Sequence, residues 1–170
     1  MPERVFLGLG SNLGDSVARL RRAAVQIGSL PQTHCVQGSG FYQSPAWGGV
    51  EQPDYTNAVL EIATQLQPLE LLHQLLAIER DNGRDRQIEQ RWGPRTLDCD
   101  ILLFGERQLQ SAELTVPHPR MAERAFVLVP LSEIAPELLL PGLGALSSLI
   151  ANVQGQGLQR LEQGFDHVYQ

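Results

Sequence analysis

The chain contains no lysine. All thirteen basic residues are arginine, which excludes a P-loop lysine, a Schiff-base lysine and the ATP-gripping strand lysine of protein kinases. Cysteine is almost missing too: Cys35 and Cys99 form no disulfide framework and lack the clustering of a zinc site. No apolar run approaches the ~20 residues that span a bilayer, and no charged-then-apolar leader opens the sequence, so a cytoplasmic protein that meets no membrane is expected. A formal charge of −6 argues against a broad nucleic-acid surface, which needs a basic stripe. Aromatics make up only 6% of residues, few for the stacking face of an RNA-binding module.

What is present is an ordinary globular composition, 42% hydrophobic and 19% charged over 170 residues. That suffices for one domain, 1–170, with its own core. The arginines are clustered: five of the thirteen lie between Arg80 and Arg95. A genomic preference for arginine explains the missing lysine but not this clustering. Planar guanidinium forks suit phosphate, and here they are the only permanent cations for gripping anions.

Along the chain, Arg4 to Leu9 has strand character, and Val17, Leu20, Ala24 and Ile27 recur at helical spacing behind a possible cap at Asp15 or Ser16. Gly8-x-Gly10-x-x-x-Gly14 is one residue too long for the dinucleotide-binding fingerprint. A turn bringing Ser11 and Asn12 near a ligand fits it better. Thr33 to Gln43 reads as one strand with glycine interruptions, followed by a loop carrying Trp47, and Asp54 to Leu66 as a long strand. Tyr55, Asn57, Val59 and Glu61 share one face of it and Thr56, Ala58, Leu60 and Ile62 the other. Tyr55 beside Asn57 suits a flat heterocycle, one stacking and one bonding its edge; a face packed on a helix explains the pair equally well.

Pro68 opens a helix with Leu71, Leu72, Leu75, Leu76 and Ile78 inward. Beyond Asn82-Gly83 lies the arginine loop, which contains Trp92 and is poised to close over bound nucleotide and exclude water. Thr96 to Phe104 follows as a strand apolar enough for a central place in a sheet. Leu109 to Val116 suggests short edge strands, Val116 to Arg120 a rigid turn, and Arg120 to Arg124 a helical turn. Ser132–Leu140, Leu146–Val153 and Leu158–Gln163 read as helix or turn. Without regular βα alternation, the class is α+β.

Asp98 and Asp100 stand two apart on the predicted strand, so their carboxylates share a face while Cys99 points to the core. Two acids side by side repel unless a cation lies between them, and such hard oxygen donors suit Mg²⁺. Metal beside arginines is how phosphoryl transfer is driven by charge neutralisation and positioning.

Five segments, G-S-N-L-G-D (10–15), F-Y-x-S-P (41–45), Q-P-D-Y-x-N (52–57), R-W-G-P-R-T-L-D-x-D-I (91–101) and V-P-H-P-R-M-x-E-R-x-F (116–126), together closely resemble the 6-hydroxymethyl-7,8-dihydropterin pyrophosphokinases of folate biosynthesis. The resemblance implies a ferredoxin-like three-layer α-β-α sandwich with a largely antiparallel sheet, acting as a monomer. It implies transfer of diphosphate from ATP to the pterin hydroxymethyl group, with AMP released and two Mg²⁺ ions bound by Asp98 and Asp100. Arg84, Arg86, Arg95 and Arg124 match phosphate-handling arginines, with Arg84 and Arg95 as transition-state stabilisers. His118 and Trp92 belong to the ATP side, and Ile101, Leu114 and Thr115 to the adenine pocket. Tyr55 and Phe126 would flank the pterin, Asn57 read its edge, and Ser44, Pro45 and Trp47 close the pocket; Glu79 matches an acid lining the site. Pro119 stands where some members carry a tyrosine, and the tail 142–170 matches poorly. The competing readings are another Mg²⁺-dependent nucleotide-binding transferase and a non-catalytic nucleotide- or RNA-binding module of the same fold.

Overall fold

The computed structural model describes residues 1–46, 51–84 and 96–166. The first strand, β1 (Glu3–Ser11), leads into helix α1 (Ser16–Gly28), which is capped by Asp15: its carboxylate accepts from the Ala18 N–H at 3.1 Å. Strands β2 (Thr33–Gly38), β3 (Gly40–Ser44) and β4 (Tyr55–Thr64) follow, then helix α2 (Pro68–Asp81) and strand β5 (Asp98–Phe104). With β2 and β3 both paired along β4 as two parts of one interrupted strand, this βαβββαβ order gives a ferredoxin-like βαββαβ sheet whose pairings are all antiparallel, running β3-β4-β1-β5 with β2 also on β4.

The period-two alternation of β4 divides two cores. Ala58, Leu60 and Ile62 pack with Leu20, Ala24 and Ile27 of α1 and Leu71, Leu75 and Ile78 of α2. On the opposite face Val59 joins Phe6, Leu102 and Leu103 beneath helix α3 (Ala125–Ile134), through Val127, Leu128 and Leu131. The result is three layers, α-β-α, with each buried Leu or Phe stabilising by about 1.5–3 kcal/mol.

Three expectations change in the folded chain. The strand foreseen at Thr33–Gln43 is broken at Ser39, where the backbone shifts register along β4. Ser39 donates its N–H to the Val59 carbonyl and accepts the Val59 N–H on its hydroxyl, both at 2.9 Å, so pairing survives the break. Strand β5, expected in the centre, is the last strand of the described sheet. Its apolar composition reflects two covered faces: Cys99, Ile101 and Phe104 toward α1 and α2, Leu102 and Leu103 toward α3. Its outer edge is also covered, since the His118 N–H donates to the Leu102 carbonyl at 2.9 Å, just past the hairpin of β6 (Leu109–Gln110) and β7 (Thr115–Val116).

The third change is in the tail. The hairpin of β8 (Leu139–Leu140) and β9 (Gly144–Ala145) and helix α4 (Leu146–Ile150) close the second core. Leu158–Gln163, read as helix or turn, instead forms strand β10 (Gln159–Gly164), antiparallel to β3 at the far edge of the sheet. Only Leu161 packs inward, so the segment carries almost no hydrophobic period; its structure comes from pairing with a strand far earlier in the chain. The glycines that interrupt β2 and β3 exist for this tail. A Cβ on Gly38 would stand 2.4 Å from the Phe165 ring, and one on Gly40 2.8 Å from the Arg160 guanidinium.

Phe165 is 2% exposed and stands edge-on to Phe41, ring centroids 4.9 Å apart. Phe165→Ala is therefore expected to lower unfolding free energy by about 3–5 kcal/mol in urea titrations. A loss below about 1 kcal/mol would mean that the tail contributes no core.

Candidate active site

The floor of the site is glycine. In the sheet register Gly10 stands between Asn57 on β4 and Asp98 on β5, and Gly8 between Val59 and Asp100. A Cβ at Gly10 would lie 3.4 Å from Asn57 Oδ1, and one at Gly8 3.3 Å from a Leu102 methyl. Bare backbone along β1 therefore leaves a trough between the amide and the two acids. This is the use of the Gly8-x-Gly10 pattern. Ser11 and Asn12 are buried and serve the protein: the Asn12 amide donates to Gln52 Oε1 and the Pro53 carbonyl, both at 2.9 Å.

Over this floor opens a cavity of about 640 Å³, walled by Ser44, Pro45 and Tyr55 on one side and by Asp98, Asp100 and His118 on the other, with Arg124 and Phe126 from the start of α3 above. Nine expected site residues thus come together from segments spread over the chain: Ser44, Pro45, Tyr55, Asn57, Asp98, Asp100, His118, Arg124 and Phe126. Asn57 is the best defined. Its Nδ2 donates to Ser44 Oγ at 2.8 Å and to the Tyr42 carbonyl at 3.3 Å. That leaves Oδ1, turned toward Gly10, as the remaining acceptor of Asn57 in the wall of the cavity.

The acid wall is braced from beneath. Arg84, 4% exposed, donates through Nη1 to Asp98 Oδ1 at 2.9 Å, Glu79 Oε2 at 3.0 Å and the Leu97 carbonyl at 3.2 Å. Glu79, 1% exposed, also accepts the Cys99 N–H at 2.8 Å. Arg84 and Glu79 therefore lie under Asp98, outside the cavity lining. Burial pushes the Asp100 carboxyl well above the usual carboxylate range, and the neighbouring Asp98 and Glu79 charges add to it; Arg124 and Arg84 pull the other way. Burial also lowers the pKa of His118, with help from Arg124, so the ring is neutral at pH 7. Its Nδ1 accepts the Arg120 N–H at 3.2 Å, which puts the proton on Nε2, 4.0 Å from Asp100 Oδ2. Arg124 in turn lies over the Phe126 ring, 5.4 Å from its centroid.

Ile101 and Leu114, expected at an adenine pocket, are buried in the core shared with α1 and α2, and Thr115 lies on β7; none of the three lines this cavity. Trp47, Arg86, Trp92 and Arg95 fall outside the described residues. Sequence reasoning missed Arg120, Glu123 and Gln156, which also line the cavity. Arg120 and Glu123 lie inside the V-P-H-P-R-M-x-E-R-x-F segment and were within reach. Gln156 stands in the tail beyond the five family-like segments, and no local signal marks it.

A family model described as 7,8-dihydro-6-hydroxymethylpterin-pyrophosphokinase (HPPK) matches residues 6–136. The chain belongs to this family. It is 48% identical over 145 residues to the 2-amino-4-hydroxy-6-hydroxymethyldihydropteridine pyrophosphokinase of Haemophilus influenzae, covering 85% of this chain and 89% of that one. Against the Pseudomonas aeruginosa protein of the same name it is 45% identical over 161 residues, covering 95% and 98%. Among solved structures, wild-type Plasmodium falciparum HPPK-DHPS with pteroate superposes with a TM-score of 0.71 at 13% identity, over 94% of this chain. The chain spans 46% of that longer protein, and the likeness supports the fold alone. Every cavity residue named above except Gln156 falls within the stretch matched by the HPPK family.

The raised Asp100 pKa has a consequence for stability. The folded protein holds a proton on Asp100 more readily than the unfolded chain does, so this contribution is fully present below the usual aspartate pKa and lost as pH rises through the folded value. At neutral pH, with chelator present, Asp100→Asn is expected to melt higher than the parent, and the difference should vanish toward pH 3–4. Thermal melts across pH check this; a variant that melts lower at pH 7 would contradict it.

Proposed function

We propose that this HPPK-family chain transfers diphosphate from ATP to the hydroxymethyl group of 6-hydroxymethyl-7,8-dihydropterin, releasing AMP. The observation that carries the proposal is the convergence, in one cavity, of two aromatic rings and an amide (Tyr55, Phe126 and Asn57) with an acid pair at Asp98 and Asp100. Family membership and the names of the bacterial relatives support it. In this reading residues 1–170 act as a single domain and a monomer.

Each half of the cavity then has its own chemistry. Tyr55 and Phe126 flank a flat, uncharged heterocycle, with Ser44 and Pro45 beside it. Asn57 Oδ1 accepts an N–H from the ring edge, an orientation enforced by the two inward bonds of its Nδ2. Asp98 and Asp100 suit Mg²⁺, because the mutual repulsion registered at Asp100 is relieved by a hard cation. Among the described residues no third acid or histidine completes a cage, so water and phosphate oxygens would fill the remaining positions of two ions. Asp98 and Asp100 would hold the ion, which would supply neutralisation of polyphosphate charge. Arg124 and the Nε2–H of His118 hold phosphate oxygens, and Arg84 acts through Asp98 by fixing its carboxylate. Arg95 and Arg86 complete the phosphate grip in this proposal, with Trp92 closing over it and Trp47 over the pterin. The reaction is in-line attack of the pterin hydroxyl on the β-phosphorus of ATP, with the bond from that phosphorus to the bridging oxygen breaking so that AMP leaves, and alignment of the two substrates lowers its barrier.

The purified protein, given ATP, Mg²⁺ and the hydroxymethyl-dihydropterin, is expected to form AMP and pterin diphosphate in equal amounts. Release of ADP or pyrophosphate instead would sink the proposal. Asp98→Ala should reduce kcat/KM by about 10²-fold or more with the fold intact by circular dichroism. Near-normal Mg²⁺-dependent turnover in that variant would remove Asp98 from the metal set.

A further inference from the structure

The family match ends at residue 136, yet the tail returns to the cavity at Gln156. Its side chain makes two hydrogen bonds, both to backbone. Oε1 accepts the Ala125 N–H at 2.9 Å, and Nε2 donates to the Glu123 carbonyl at 2.9 Å. Those two atoms belong to the peptide groups on either side of Arg124, so one side chain brackets that residue.

The bracket sits at a joint. Arg124 lies between a 3₁₀ turn (Met121–Glu123) and α3, with extended backbone at φ −121° and ψ 109°. No side chain of the local sequence caps α3, so Gln156 takes one of the N-terminal donors that the helix leaves open. The turn that delivers it is built for the purpose. Gly155 and Gly157 have φ of 83° and 78°, the left-handed region that side-chain-bearing residues avoid. Val153, 3% exposed in the second core, anchors the turn before it, and β10 anchors it after. Gly157 rests against Pro45, a Cβ there lying 3.8 Å from the proline ring, so the same turn backs two walls of the cavity.

We infer that Gln156 is a positioning residue of the active site: by fixing both peptide groups flanking Arg124, it sets the direction of the Arg124 guanidinium and of the Phe126 ring. This rests on the cavity being the diphosphokinase site. The tail beyond residue 136, where the family model ends, therefore tunes how tightly pterin and polyphosphate are held. A plain helix cap would stabilise the protein without touching substrate affinity, and that difference is measurable.

Full-length Gln156→Ala and Gln156→Glu are compared with the parent by thermal melting and by steady-state kinetics with ATP, Mg²⁺ and hydroxymethyl-dihydropterin. Losing two neutral hydrogen bonds at the joint should raise KM for both substrates about fivefold to tenfold in Gln156→Ala. Gln156→Glu keeps the acceptor for the Ala125 N–H but cannot donate to the Glu123 carbonyl, so an intermediate rise is expected. If the alanine variant does not fold, the glutamate variant, of nearly the same shape, decides the matter alone. A lowered melting temperature with both KM values unchanged overturns the inference. An inactive parent overturns the reading of the cavity itself, and that result is visible before any variant is assayed.

Discussion

The buried chain Glu79–Arg84–Asp98 is the constraint from which the site follows. Glu79 on α2 and Arg84 beyond its end are almost wholly enclosed, and two charges so placed are tolerable only when each is bonded. Glu79 meets the guanidinium and the Cys99 N–H, while Arg84 meets Glu79, Asp98 and the Leu97 carbonyl. The network ties the end of α2 to the start of β5 and fixes where Asp98 presents its carboxylate. It also sets the electrostatics, since Glu79 pushes the Asp100 pKa up and Arg84 pulls it down.

The rest of the cavity is arranged around that fixed acid. Because β5 ends the described sheet, the segment after β7 can run along its outer edge, and the bond from His118 N–H to Leu102 brings the imidazole beside Asp100. Across the glycine floor of β1, Asn57 is locked by Ser44 and Tyr42. A rigid amide and a rigid acid row, held apart by backbone alone, give one side suited to an uncharged ring and one suited to a cation and phosphates.

The tail shows how a polar segment acquires structure. Glu133 of α3 accepts from the Gly40 N–H at 2.9 Å, the Tyr42 hydroxyl at 2.6 Å and Arg160 of β10 at 3.4 Å, so a single carboxylate joins helix, inner strand and edge strand. Burial and this acid push the Tyr42 phenol up to about 12. With Phe165 seated over Gly38, this contact holds the far side of the sheet and steadies the turn that carries Gln156.

The sequence by itself determined the elements that have a strong local period and the residues that carry the chemistry. The alternation of Tyr55 to Ile62 foretold two faces, the leucines of Pro68–Asp81 foretold a helix, and D-x-D placed two acids on one side of a strand. Only the tertiary structure decided where these meet. That β5 lies at an edge was hidden, because apolar composition reports covered faces and not the number of neighbouring strands. The bonds of Arg84 to Glu79 and Asp98 were hidden as well, because a guanidinium suits phosphate and carboxylate alike and only folding brings these acids near it. Strand β10 and Gln156 left no local mark, since a polar segment is held by partners distant in the chain and not by any period of its own.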